Sequence, residues 1–367
     1  MPIKNLYDVV IVGSGLAGLT LADTLAAQNL KIAIIDSDEL GKGASGVPLS
    51  LINPIAGKQA KLTWQASSCL TSIEHRLERI SRSSGLSFYA PSGILRPAMD
   101  EVTFEKFKKS YQKSFAAEDW IHFLDEDQLR SMLPKLTCVG GGYWLEKGGV
   151  VETPTYLKAL LEVVQNAGVE VFFQQRALDI TAVSDIWRVK SLFQEVHTKK
   201  LVMTTGFRTK EVPFWNWLPV HTIKGQVLHY RSHSFLPWTY GISGEGYLAH
   251  LNGYDWVIGS TYEHTFNDEY PDALGLETLE EKADLHFTEL RKHSTLIQHW
   301  ASVRLGTPNR LPVIGGHPSF KNLFVFAGMG SKGLLYSSYL AELLADNLLH
   351  PASTLPIEVS VKRFIST

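Results

Sequence analysis

The sequence predicts a mixed α/β (α+β) fold: a nucleotide-binding α/β domain written in separated blocks, with an antiparallel-sheet domain inserted between them. Three observations predict it. The β-branched run Tyr7-Asp-Val-Val-Ile-Val feeds into glycines at 13, 15 and 18, and an apolar helical pattern follows. Text of the same α/β kind returns at residues 169–206 and again at 323–349. Between these blocks, residues 215–305 are aromatic-rich and carry short alternating runs. At 367 residues the chain is too long for one small core, so two lobes are expected.

The first block has the order a dinucleotide-binding βαβ unit requires. Gly13 permits the tight turn, Gly15 lets the backbone approach a pyrophosphate, and Gly18 lets the helix lie close on the strand. Ser14 sits inside this turn. The helix N-terminus, with unpaired N–H groups and the positive dipole end, faces the phosphates. A second apolar run, Lys31-Ile-Ala-Ile-Ile, ends on Asp36, whose carboxylate can accept hydrogen bonds from ribose hydroxyls.

A loop, Gly41-Lys-Gly-Ala-Ser45-Gly46, comes next, and a helical pattern covers about 61–83 with Leu70, Ile73, Leu77 and Ile80 on one face. Short strands are expected over 85–95, charged helices over 103–117 and 125–132, and a turn into a strand at Gly140-Gly-Gly-Tyr-Trp-Leu. A helix over 154–167 opens with Thr153 as its cap and Pro154 at its first position. It leads to a strand at 169–174 and another ending at Thr204-Thr-Gly206. Strands at 226–230, 246–250 and 256–260 and one long polar helix at 274–293 follow. A strand at 323–327, the turn Gly328-Met-Gly330-Ser-Lys-Gly333 and a helix over 334–349 close the pattern. Residues 1–84, 150–214 and 306–367 therefore read as a discontinuous nucleotide domain, and 85–149 with 215–305 as the substrate domain.

Composition narrows the function. A formal net charge of −2 gives no global basic field for nucleic acid. The clusters Lys106/Lys108/Lys109/Lys113 and Lys199/Lys200 are the local alternatives. Cys69 and Cys138 have no metal-like spacing, and the scattered histidines form no cluster, so no metal is expected. The apolar N-terminal stretch is broken by Ser14 and Thr20 and closed by Asp23, short of a membrane span. A cytoplasmic protein is the expectation. Trp215, Trp217 and Trp238 could stack on a base, with core packing as the default.

The fingerprint, Asp36, the Gly43-Ala-Ser-Gly46 loop, Thr204-Thr-Gly206 and the glycine-rich C-terminal turn together resemble the FAD-dependent amine oxidases of the D-amino acid oxidase type, which include glycine and sarcosine oxidases. Within that family, several segments are most similar to the FAD domain of the bifunctional tRNA 5-methylaminomethyl-2-thiouridine biosynthesis proteins. These are Asn53-Pro54 with Lys58, Ile223-Lys-Gly-Gln226, Gly246-Tyr-Leu, Ile258-Gly-Ser-Thr-Tyr262 and Val303-Arg304 running to Leu311-Pro-Val-Ile-Gly315. The resemblance implies a Rossmann-like FAD-binding domain and a non-covalent FAD. It places Ala44, Ser45, Ala177, Thr205 and Gly206 against the cofactor, and Gly328, Gly330, Ser331, Lys332 and Gly333 at the flavin N1–C2=O edge. Arg304 would anchor a substrate carboxylate and Tyr247 would help hold the substrate. Lys58 would sit near the flavin, to assist reoxidation or to bind a substrate phosphate.

The implied reaction is oxidation of the C–N bond of a carboxylate-bearing amine by hydride transfer to flavin N5, with dioxygen as oxidant. On tRNA it would remove a carboxymethyl group from a modified wobble uridine. The alternatives are a small amino acid as substrate (glycine, sarcosine or a D-amino acid) or a flavin-bound interaction protein without turnover. Two positions depart from the family text: Lys332 stands where arginine is usual, and Asn309-Arg310 where an Asp-His pair is usual. No methyltransferase text precedes the fingerprint in these residues.

Overall fold

Leu6–Val12 alternates between two buried faces. Val9 and Ile11 pack into one apolar cluster, Val10 and Val12 into another. A strand buried on both sides must be apolar throughout, and this is why the run is continuous rather than alternating. The computed structural model describes residues 5–56, 61–115, 118–133 and 139–365. In it, Leu6–Val12 lies between Ile32–Ile35 and Glu195–Met203, parallel to both, and Glu170–Phe172 continues the sheet beyond Ile32–Ile35. Glu195–Met203 divides its pairing. Its first half joins the antiparallel hairpin Asp179–Val183 and Ile186–Lys190, and its second half joins Leu323–Ala327 in parallel. Helices Leu16–Ala26, Ala66–Ser84, Thr153–Asn166 and Gly333–Leu349 pack together on one face.

A second sheet runs in the order Ser294–Gly306, His221–Ser232, Asp255–Gly259, Tyr247–His250, Gly241–Ser243, Ile94–Pro97, Gly141–Leu145, Ile121–Asp125. Helix Ala273–Lys292 covers one face through Leu279 and Ala283 against Leu228, Tyr230 and Ile258. Part of the other face packs on a small sheet of Leu49–Ile52, Gly149–Glu152 and Tyr89–Ala90, through Val227, Ala249 and Val257. The rest of that face looks across a cavity toward the nucleotide turn.

Several expectations shift. The helix expected from 61 begins at Ala66, after a two-residue strand, Lys61–Leu62; its apolar stripe is fully buried. The helix expected over 103–117 starts at Glu101, because the Asp100 side chain accepts from the Thr103 N–H, and it changes to a wider turn at Tyr111–Phe115. Thr153 is not a cap: it is the first helical residue, Glu152 precedes it, and the Thr153 hydroxyl is buried. The long helix is interrupted at Phe287, which has non-helical backbone angles. The strand expected at 226–230 extends over His221–Ser232, because Ser294–Gly306 pairs along its whole length. Neither that partner strand nor the 179–190 hairpin was singled out by the sequence.

Candidate active site

A cavity of about 1630 Å³ runs from Asp36 and Ala177 at one end to Arg304 and Lys332 at the other. Its first wall is the glycine turn. Gly13 has φ +112°, a conformation that L side chains rarely adopt. A Cβ on Gly13 would overlap the Thr204 carbonyl, and one on Gly18 would overlap the Gly13 carbonyl. Thr204 fixes this packing by donating from its hydroxyl to Val12 O at 2.9 Å and Gly13 O at 2.8 Å. Gly15 caps the first helix without a side-chain hydrogen bond, so the helix N-terminus opens toward the cavity. Ser45 Oγ accepts from Leu16 N–H at 3.0 Å, and Ala44 and Ser45 line the wall beside it.

Asp36 is engaged more fully than its sequence position implied. Its Oδ2 accepts from the Ser14 N–H and the Ser14 hydroxyl, each at 2.6 Å, and its Oδ1 accepts from Asp38 N–H at 3.0 Å. The carboxylate therefore braces the glycine turn from within as well as facing the cavity. Thr205 and Gly206 line the floor, and Thr205 pairs its hydroxyl with that of Thr209 at 3.1 Å.

The opposite wall is the Gly328–Gly333 turn. Gly330 N–H donates to Leu305 O and Lys332 N–H to Met329 O. The first bond of the helix here is Tyr336 N–H to Lys332 O, so the free donors are the N–H groups of Gly333 and the two residues after it. The Lys332 side chain turns aside: Nζ donates to Asn53 O at 2.6 Å and Ile55 O at 3.1 Å. Burial, reinforced by the charge of Arg96, brings its pKa down to about 7.

Arg304 projects from Ser294–Gly306 over Gly225 on the neighbouring strand; a Cβ at 225 would overlap its guanidinium. Nη1 donates to Ser260 Oγ at 3.3 Å and Nη2 to Thr261 O at 3.0 Å, and the group lies 4.6 Å from the centre of the Tyr262 ring. Thr261 is held in turn. Gln226 N–H donates to its hydroxyl at 2.9 Å, Gln226 Nε2 bonds Glu263 and Asp272, and buried Lys224 donates to Asp272 at 2.5 Å. Lys224, Gly225 and Gln226 thus act together: the charged and amide residues fix the 260–263 segment, and the glycine leaves room for the guanidinium.

Comparison with known proteins decides the family. The model of the FAD dependent oxidoreductase family (DAO) matches residues 8–347. The chain belongs to that family. It is 27% identical to a tRNA 5-methylaminomethyl-2-thiouridine biosynthesis bifunctional protein MnmC from Polaromonas sp., over 95% of this chain and 57% of that protein. It is 26% identical to a glycine oxidase of Pseudomonas aeruginosa, over 92% of this chain and 93% of that one. The chain thus spans about three fifths of the MnmC relatives' length. The crystal structure of glycine oxidase from Geobacillus kaustophilus superimposes with a TM-score of 0.87 over 96% of this chain at 21% identity, a likeness of fold.

The residues fit the FAD that this family uses. Gly13 and Gly18 let the strand, the helix and Thr204 pack close beneath the turn, two helix N-termini open on one cavity, and its volume exceeds the several hundred Å³ typical of a small-ligand pocket. Tyr247 lines the same cavity as Arg304; its hydroxyl donates to Leu49 O at 2.9 Å, and burial, countered by Arg304, raises its pKa. Lys58 lies outside the described residues, as does Cys138. The sequence did not single out Tyr262, although its phenol comes within hydrogen-bonding reach of Ser331 and Ser260. Burial acts to raise the Tyr262 pKa, but Arg304 and these partners bring it below the ordinary value. Trp215, Trp217 and Trp238 do not line the cavity; Trp215 and Trp217 pack against each other and His317, and Trp238 against His250. Lys199 is paired with Asp8, and Lys200 donates to Leu348 O. No group able to hold a metal ion occurs among the described residues, nor a helix long and apolar enough to cross a membrane.

Proposed function

We propose that this FAD-dependent oxidoreductase oxidises a small amine that carries a carboxylate, with Arg304 as the carboxylate anchor. One observation carries the reading: Arg304 lines the cavity and, among the described residues, makes no ion pair. A guanidinium in a cavity wall without a carboxylate of its own leaves its fork for one from the ligand. Ser260, Thr261 O and Tyr262 fix its orientation, so a bound carboxylate is held in one pose with the adjacent C–H directed into the chamber. FAD, when bound, supplies the two-electron acceptor. The oxidised C–N bond is an imine, which water hydrolyses to a carbonyl compound and an amine.

The surroundings favour a small substrate over RNA. The cavity lining includes Glu211, Glu245, Asp268 and Glu269, and Arg208 is paired with Asp38 and Glu269. Carboxylates in a cavity wall suit an ammonium group and repel phosphates, whereas RNA binding needs a rim of lysine and arginine. The second reading, removal of a carboxymethyl group from tRNA, rests on the MnmC similarity. Anaerobic bleaching of the flavin by glycine, N-methylglycine and bulk tRNA, at two salt concentrations, tests both. Reduction by the amino acids with little salt dependence is expected. Reduction by tRNA alone, weakening steeply with salt, would overturn the small-molecule reading.

A further inference from the structure

The segment that receives Arg304 has two sides. Ser260 and Tyr262 line the cavity, whereas Thr261 and Glu263 point the opposite way, toward Gln226 and Lys224. Lys224, 2% exposed on His221–Ser232, is the centre of that second side. Its Nζ donates to Asp272 Oδ2 at 2.5 Å and lies 3.8 Å from Glu263 and 3.9 Å from Asp268, so one buried cation faces three carboxylates. Gln226, fully buried, joins two of them. Its Nε2 donates to Glu263 Oε1 and Asp272 Oδ2, each at 2.9 Å, and its Oε1 accepts from Asp272 N–H at 3.0 Å.

Helix Ala273–Lys292 completes the network. Asp272 caps it by accepting from the Gly275 N–H at 2.8 Å, and a Cβ on Gly275 would overlap the Gln226 amide, so the helix start rests directly on that side chain. Further along the helix, Lys282 Nζ donates to Ser260 O at 3.1 Å. Lys224, Gln226, Asp272 and Lys282 thus hold residues 260–263 from behind, and none of the four lines the cavity. On the cavity side, Ser260 and Thr261 are the residues that accept from Arg304. Lys224 first, then the Gly275 N–H, holds the Asp272 carboxyl at about 2, so the Lys224–Asp272 pair stays ionised around neutral pH.

We propose that Lys224 and Asp272 are positioning residues for substrate binding: their ion pair sets where Ser260 and Thr261 stand, and through them the angle at which the Arg304 guanidinium meets a substrate carboxylate. A fork held by two acceptors follows those acceptors when they shift, and a carboxylate pose is sensitive to small shifts. Removing the charge of Lys224 leaves Glu263, Asp268 and Asp272 facing one another without their shared cation. Their repulsion then bears on a segment bonded directly to Arg304. The inference rests on the reading of Arg304 as the carboxylate anchor and adds the residues that aim it.

The test uses the FAD-loaded protein and reads acetate binding by calorimetry. In Lys224→Met, acetate is expected to bind roughly tenfold more weakly, with flavin content unchanged. Asp272→Asn is expected to lose less, and Lys224→Arg, which keeps the charge, to recover most of the affinity. The second arm repeats Lys224→Met in an Arg304→Lys background. There the further loss is expected to stay within about twofold, because residues that act through one group are not additive. Unchanged acetate affinity in a folded Lys224→Met protein would overturn the proposal. So would a full tenfold loss added to Arg304→Lys, since the network would then act on the cavity by another route. If Lys224→Met does not fold, Asp272→Asn is judged by the same two criteria. Acetate affinity that Arg304→Lys leaves unchanged would remove the anchor and the proposal with it. Affinity that falls with Arg304→Lys but with neither network variant would keep the anchor and remove the positioning role. Coupled acetate binding without flavin reduction by any amine would keep the positioning role and remove the oxidase reading.

Discussion

At Arg304 the fork matters as much as the charge. Arg304→Lys keeps the cation but loses the two parallel donors, and the reacting C–H bond is then poorly aligned. A misplacement of about 1 Å costs roughly 100-fold in turnover efficiency, and stopped-flow reduction by the best amine should show a loss of that order with FAD content unchanged. Gly225→Ala reaches the same group from beneath. The added methyl overlaps the far end of a flexible side chain, so the guanidinium moves and the backbone stays. Carboxylate affinity should fall about tenfold, equivalent to ~1.4 kcal/mol, while the melting temperature changes by only a few degrees. Lys332 gives a pH dependence. Its pKa of about 7 lies below the ordinary lysine value, chiefly through burial and then through Arg96. The side chain is therefore charged below about pH 7 and neutral above it. Binding of a carboxylate should weaken as pH rises from 7 to 9, by up to about tenfold per unit. The stability effect has the opposite sense: above pH 7 the unfolded chain binds the extra proton, so stability rises with pH up to the ordinary lysine range. Calorimetry of acetate binding across that interval measures the first effect.

At the scale of elements, the glycine turn is the most constrained piece of the chain. Gly18 is inside the first helix, where alanine is ordinarily the better residue. Here a methyl would meet the Gly13 carbonyl, which is rigid backbone, so the helix must lift from the strand. Gly18→Ala should lower stability by about 1–3 kcal/mol and reduce FAD retention together with it, measured by thermal unfolding and by flavin content after purification. This turn was legible because its spacing is local: strand, glycines, helix and Asp36 lie within 31 residues of sequence, 6 to 36. The stripe Leu70, Ile73, Leu77, Ile80 was legible for the same reason, since helical period alone places it on one face. Ser294–Gly306 was not. It has no clean alternation, its first half is largely exposed, and only pairing with His221–Ser232 makes it a strand. The Thr153 hydroxyl shows the limit of capping rules, because the preceding strand fixes where the helix begins.

For the whole molecule, the cavity touches the first βαβ unit, the strand ending at Met203, the Gly328–Gly333 turn and the sheet that holds Arg304. A ligand that contacts all of them stabilises elements far apart in sequence. Stripping FAD should therefore lower the unfolding temperature in one cooperative step. Restoring it at a thousandfold excess over its dissociation constant should return about 4 kcal/mol, read by calorimetry on apo and reconstituted protein. Two separate transitions in the apo protein would show that the sheets fold independently.

The sequence by itself determined the nucleotide unit, the α/β class, the family and the residue types at the reactive end, because these are carried by local spacing and by runs such as Gly328–Gly333 and Leu311–Gly315. Only the tertiary structure decided which side chains meet. Arg96, Asn53, Ser243 and Lys332 come from four distant segments, and Tyr262 reaches Arg304 across 42 positions. No local period encodes such meetings. They follow from strand register and from the packing of two sheets across one cavity, where a shift of one residue turns every side chain to the opposite face.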